Sequence, residues 1–189
     1  MKTYNETKLA QELIRFPTIK TEDKGIMKFL SKKLTAIGFK CTIIKSKGTG
    51  TNPALNLYAR YGKSKPHIMY LGHTDVVANL DNWKLPPFKA VVSKGYLNGR
   101  GAQDMKGGIA CWISAVSNFI KNNKFKGSIS IIISADEETT GYGCPAVMKY
   151  LRKKGEKIDF SVVGEPSSNK SIGDEIRIGR RGSMNGIIN

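Results

Sequence analysis

Ile68-Met69-Tyr70-Leu71-Gly72-His73-Thr74-Asp75 decides how the chain is read. Four apolar residues in a row, with Pro66 before them and Gly72 after, suit a β-strand buried on both faces. The strand stops at a glycine and delivers an imidazole and a carboxylate. In extended backbone, residues two apart point the same way, so His73 and Asp75 can share one job. One such job is metal binding by the ring, with the carboxylate orienting it from behind. A loop histidine near an aspartate with no ligand is the plainer alternative.

Outward from this strand, the 189 residues alternate between strand and helix patterns. Asn5 is placed to cap a helix reaching about Phe16, and Leu9, Leu13 and Ile14 form its apolar stripe. A second helix is predicted from about Glu22 to Ile37, with Gly38 as its left-handed stop. Strands are predicted at Cys41–Lys45 and Leu55–Tyr61, and a hairpin at Ala90–Val92 and Tyr96–Leu97 turned by Lys94-Gly95. The glycine-rich run Asn98–Gly108 leads into a helix whose apolar face carries Ile109, Trp112, Ile113, Val116, Phe119 and Ile120. Ser128–Ser134 and Phe160–Val163 are read as further buried strands. Between them lies a helix from about Pro145 to Lys153, and Glu175–Asn189 alternates loosely as a strand. The pattern is α/β, with a mostly parallel sheet and helices on both faces.

Composition narrows the function. Hydrophobic content of 40% and charged content of 24% are ordinary for a globular protein. No apolar run approaches the ~20 residues of a membrane span, and the N-terminus carries no signal-peptide pattern. Cys41, Cys111 and Cys144 are odd in number and form no C-x-x-C, which points to reduced thiols in a cytoplasm. The net charge of +16 comes from lysines dispersed between Lys2 and Lys170 rather than packed in a block. Neither a nucleic-acid nor a membrane partner is therefore expected, and a small anionic substrate is compatible. The acids are less evenly spread. Asp75, Asp104, Asp136, Glu137, Glu138 and Glu165, six of the fifteen, fall in loops after apolar runs.

Three apolar strands thus end in His73/Asp75, Glu137/Glu138 and Glu165, and a fourth loop adds Asp104. In open α/β sheets the carboxyl ends of the strands share one ligand-binding edge, so these groups are expected to converge. Carboxylates crowded without cations repel. One histidine with four or five acids is the donor set of a two-metal hydrolytic site. Singly, each has a plainer reading: Glu137-Glu138 a solvated loop pair, Asp104 a helix cap, Glu165 an exposed turn residue, His67 a surface residue, and Trp112 a core residue. Arg180-Arg181 could equally be a solvated strand edge. The alternative for the whole chain is a non-catalytic basic binding fragment. The conjunction at successive strand ends favours the site.

Gly72-His73-Thr74-Asp75, Gly99–Gly107, Asp136-Glu137-Glu138 and Gly164-Glu165-Pro166, read in order, resemble the M20 family of co-catalytic zinc hydrolases. Val163–Ser168 together with Gly179-Arg180-Arg181-Gly182-Ser183 favours its desuccinylase branch over acetylornithine-deacetylase-like deacylases, acylases and carboxypeptidases. The resemblance covers essentially the whole chain but about the first half of a member. It implies a truncated three-layer α/β/α zinc-exopeptidase-like catalytic domain with a mixed, mostly parallel central sheet. Residues 1–175 would be its N-terminal portion, and 176–189 the start of a lid and dimerisation domain.

The implied activity is hydrolysis of N-succinyl-LL-2,6-diaminopimelate in diaminopimelate and lysine biosynthesis, by a cytoplasmic homodimer. The implied cofactors are two zinc ions, or cobalt or manganese. His73 and Glu165 would hold one ion, Glu138 the other, and Asp104 would bridge them. Glu137 would be the general base, and Asp75 the residue that holds His73. Asp104-Met105 would be a cis peptide, and Arg180 and Ser183 would contact substrate carboxylates. The second ion's histidine would come from outside this chain, so the chain alone is expected to bind at most one metal tightly, to be inactive, and to be prone to aggregation.

Overall fold

The computed structural model describes residues 2–49, 51–78 and 83–179. Its centre is a five-stranded sheet built from β1 (Lys40–Ser46), β2 (Ala54–Gly62), β3 (His67–His73), β6 (Ser128–Ser134) and β7 (Phe160–Val163), in the order β1-β2-β6-β3-β7. The small hairpin β4 (Val91–Ser93) and β5 (Tyr96–Asn98) stands apart. Pairing is antiparallel for β1–β2 and β2–β6 and parallel for β3–β6 and β3–β7. The sheet is therefore mixed, with its parallel part around the strand quoted first.

Alternation along the strands sets the layers. Ile129, Ile131 and Ile133 of β6 and Tyr70 of β3 face helices α1 (Glu6–Ile14), α2 (Ile26–Thr35) and α3 (Gly107–Asn122), where Leu13, Leu30, Ile109 and Ile113 complete the larger core. Ile132 and Met69 face the other way, onto Val147 and Leu151 of α4 (Gly143–Lys153). Helices thus cover both faces, as the α/β pattern requires. Asn5 caps α1, its side chain accepting from the Lys8 N–H at 2.9 Å. The second helix starts four residues later than its pattern suggests. Asp23 accepts from the N–H groups of Gly25 and Met27, and Gly25 sits at φ +89°, so the turn of helix begins only at Ile26.

Two expectations need correction. Phe160–Val163 forms the expected strand, but its residues are exposed rather than buried: among the described residues β7 lies at the sheet's edge and pairs with β3 alone. His67 is not a surface residue. It begins β3 on the α4 face, 1% exposed, with Nδ1 2.8 Å from the Lys157 carbonyl and Nε2 2.8 Å from Ser130 Oγ. No strand occupies 175–179, and the remainder of the strand expected at Glu175–Asn189 lies outside the described residues.

One buried amide ties the sheet to the strand tips. Asn56 of β2 donates to the Ile44 carbonyl and Ser46 Oγ, while its Oδ1 accepts from the Ala135 N–H just past β6. Asn56→Ala is expected to cost about 2 kcal/mol, because the Ala135 N–H would be left unpaired in a dry interior. Urea denaturation measures this, and an unchanged midpoint would count against it.

Candidate metal centre

β3 and β6 run parallel with His73 opposite Ser134, so the two chains leave the sheet side by side. Thr74 N–H then donates to the Ser134 carbonyl at 2.9 Å, and Thr18 Oγ1 donates to the Thr74 carbonyl at 2.5 Å. This stitching fixes the backbone between His73 and Asp75. β7 ends one residue short of Gly164, whose N–H donates to the Leu71 carbonyl at 3.0 Å and brings Glu165 alongside.

The imidazole of His73 is the hub. Its Nε2 lies 2.9 Å from Asp104 Oδ1, 3.8 Å from Glu165 Oε1 and 3.9 Å from Glu137 Oε2. Candidate ligand atoms gather in two groups sharing this ring, His73–Asp104–Glu138 and His73–Glu137–Glu165, with all atoms of a group within 4.8 Å of one another. The ring is 2% exposed, yet Nε2 has no partner in hydrogen-bond geometry among the described residues. A buried nitrogen ringed by carboxylates, none of them in hydrogen-bond geometry, is what a divalent cation would satisfy. The donor set therefore fits a metal ion. A cavity of about 230 Å³, lined by Gly72, His73, Glu137, Gly141 and Glu165 among others, opens beside it.

Asp104 reaches the ring from a wide turn, Ala102–Lys106, that precedes α3. It does not cap that helix: its backbone is extended at φ −115°, ψ 99°, and the Asp104–Met105 peptide is cis. Asp75 lies behind the ring as expected, but the nearest acceptor to His73 Nδ1 is the Asp75 backbone carbonyl at 3.0 Å, with Oδ1 at 3.5 Å. Asp75 Oδ2 accepts from the Glu138 N–H at 2.8 Å, so one buried aspartate holds both a ring and the strand tip opposite. Arg180 and Ser183 lie outside the described residues.

Some contributors carried no assigned role in the sequence. Lys106 is fully buried and donates from Nζ to the Phe16 carbonyl at 2.8 Å. Burial pushes its ammonium down to about 7, against the pull of the Asp75 carboxylate. Its only advance signal was a lysine inside a glycine-bounded turn. Asp136 was noted as an acid at a strand end, but nothing in one dimension says which way it points. Gly143 is needed where it is, since a Cβ there would sit 2.3 Å from Ser134 Oγ and 2.5 Å from Asn56 Oδ1.

The same crowding sets the protonation of the hub. Burial lowers the His73 pKa, but the hydrogen bond and charge of Asp75, with Asp104 and Glu137, outweigh it and raise the group from 6.5 to about 9. Without metal the ring therefore carries a proton at neutral pH. Its contribution to stability is fully present below 6.5 and is lost as pH rises through about 9. A metal must displace that proton, so binding at pH 7 is expected to release close to one proton from the ring. Apparent affinity should rise up to about tenfold per pH unit until it flattens near 9. Calorimetry in buffers of different ionisation enthalpy measures the release, and heats independent of buffer would refute it.

The sequence model described as peptidase family M20/M25/M40 matches residues 69–180. The succinyl-diaminopimelate desuccinylase of Pelagibacter ubique is 52% identical over 189 residues, covering 98% of this chain and 49% of its own length. That of Ehrlichia chaffeensis is 46% identical over 181 residues, covering 94% and 47%. The chain thus spans about half the length of the curated relatives it matches. Among solved structures, an M20 family metallo-carboxypeptidase from Sulfolobus solfataricus superposes with a TM-score of 0.72 at 20% identity, over 86% of this chain and 37% of its own. Human carnosine dipeptidase 1 superposes at 0.71 and 22% identity, over 84% and 37%. At that identity the structures speak for the fold.

Proposed function

The chain belongs to peptidase family M20/M25/M40, and from that premise we propose that it forms part of a metal-dependent amide hydrolase of the succinyl-diaminopimelate desuccinylase type. The substrate is N-succinyl-LL-2,6-diaminopimelate, and the products are succinate and LL-2,6-diaminopimelate. Family membership implies a divalent metal. Two ions, with zinc foremost and cobalt or manganese served by the same N/O donors, are the finer assignment. The relatives' names and the 52% identity support the substrate. One observation carries the hydrolase chemistry: a buried imidazole nitrogen with no partner in hydrogen-bond geometry among the described residues, facing the carboxylates of Asp104, Glu137 and Glu165 within 3.9 Å.

In this reading His73 and Glu165 would hold one ion and Glu138 the other, with Asp104 shared between them. When bound, the ions supply Lewis-acid polarisation of the amide carbonyl and bring a water's pKa toward neutrality. The chain's own residues do the rest. Asp75 accepts at Nδ1 of His73, which turns Nε2 toward the carboxylates. Glu137, its side chain 41% exposed and so open to the cavity, takes a proton from the attacking water. The water oxygen bonds to the carbonyl carbon, the C–N bond breaks, and Glu137 returns the proton to the leaving amine. Arg180 and Ser183 bind substrate carboxylates, a role suited to arginine's planar fork.

Residues 1–175 are assigned to the N-terminal portion of the catalytic domain and 176–189 to the start of a lid and dimerisation domain. The assembled protein is read as a cytoplasmic homodimer with no nucleic-acid or membrane partner. Among the described residues no helix is long and apolar enough to cross a membrane. His67, the other histidine, is engaged at both ring nitrogens, so this chain offers one imidazole to the site. The chain by itself is therefore assigned at most one tight metal and little or no turnover.

The substrate is tested by joining the chain in frame to the half of the Pelagibacter relative that it does not span. N-Succinyl-LL-2,6-diaminopimelate should be hydrolysed with zinc, and N-acetylornithine should not. Preference for N-acetylornithine would move the assignment to another deacylase of the family. Hydrolysis of neither, with metal bound, would reject the desuccinylase reading.

A further inference from the structure

Asp136 stands immediately before Glu137 and Glu138 but belongs to neither ligand group. Its side chain is wholly buried and spent on its own loop. Oδ1 accepts from Thr139 Oγ1 at 2.7 Å and from the Thr140 N–H at 2.9 Å. Oδ2 accepts from Thr140 Oγ1 and, at 3.1 Å, from the Tyr142 N–H. The Asp136 carbonyl accepts from the Gly141 N–H at 3.0 Å. Five bonds therefore close residues 136–142 onto their first residue, and the two carboxylates that this closure leaves out are those of Glu137 and Glu138. A second buried aspartate pins the loop from outside, where Asp75 Oδ2 takes the Glu138 N–H.

Adjacent glutamates on one loop pose a selection problem. Both are within reach of His73, but they enter different groups: Glu138 joins Asp104, and Glu137 joins Glu165. A rotation of the backbone between them would exchange the two. We propose that Asp136 is a positioning residue that selects which glutamate becomes the ligand and which stays available as the base, by locking the loop that carries them. The inference rests on the metal-hydrolase reading above. It assigns Asp136 no contact with metal or substrate; it acts through the peptide backbone, where a carboxylate with two acceptor oxygens can collect four donors and an amide cannot.

The test uses the 189-residue chain and cobalt(II), whose visible bands report the ligand set. Asp136→Asn keeps one acceptor oxygen but faces the Thr140 or the Tyr142 N–H with a donor, and Asp136→Ala removes the cap. Leu151→Ala, in the core at the far end of α4, serves as a destabilised control. Cobalt affinity is expected to fall about tenfold in Asp136→Asn and further in Asp136→Ala, with the visible bands displaced in both. Leu151→Ala should lower the urea midpoint yet keep the wild-type spectrum. Should neither Asp136 variant fold, Thr140→Val deletes one donor and leaves the carboxylate, and a displaced spectrum is still expected. Wild-type affinity and spectrum in the folded variants would overturn the inference and leave the metal site standing. A wild-type chain that binds no cobalt would remove the metal reading itself, and the inference with it.

Discussion

His73→Ala is expected to weaken the chain's tightest zinc or cobalt binding by at least about 100-fold. Structural zinc sites release roughly 10–16 kcal/mol through four ligands, or about 3 kcal/mol apiece, and each 1.4 kcal/mol is a factor of ten. The loss should exceed this share because both ligand groups depend on the same ring. The informative comparison is the other histidine. His67 is equally buried, but its nitrogens are taken by Lys157 and Ser130. His67→Ala should therefore cost stability, about 2 kcal/mol from the unpaired groups it leaves, and leave metal affinity alone. Titration calorimetry and urea denaturation on the two variants separate the cases. Equal metal affinity in wild type and His73→Ala would dismiss the site.

Gly164→Ala should damage both fold and site, although it adds a single methyl group. A Cβ at 164 would lie 2.0 Å from Tyr70 Oη and 2.4 Å from Cζ. Tyr70 cannot swing away: it is 3% exposed, its ring stacks on Trp112 at 4.9 Å, and its hydroxyl is also close to Gly108, where a Cβ would stand 3.0 Å from it. Something must move, and the looser party is the segment after β7, which is an edge strand. The expected cost is about 3 kcal/mol, the upper end for overpacking. Because Glu165 is the next residue, it should be carried away from His73, lowering metal affinity about tenfold or more. A variant with wild-type thermal midpoint and wild-type affinity would show that β7 absorbs the methyl without shifting the carboxylate.

These expectations depend on different kinds of information. Strand and helix positions were legible because periodicity is local. The isoleucine-rich run within Ser128–Ser134 and the apolar stripe of Gly107–Asn122 state their own burial. The convergence of His73, Glu137, Glu138 and Glu165 was legible too, for a topological reason: parallel strands end on one side, and each of these residues ends or follows such a strand. Asp104, in the turn before α3, joins them only through the fold. The late start of α2 was not legible, since the Asp23 cap competes with helix at residues whose periodicity fits either.

Identity and order of residues thus determined that this chain builds a layered α/β sheet with an acidic, histidine-bearing rim. Only the folded arrangement decided what depends on neighbours distant in sequence. Strand order made Phe160–Val163 an exposed edge and buried His67. Packing against Tyr70 restricts residue 164 to glycine, and a hydrogen bond from the distant Glu138 N–H made Asp75 a brace between strand tips while Glu137 was left facing the cavity. A side chain's periodicity is set by the bonds it follows, but its partners are set by segments that meet it only after collapse.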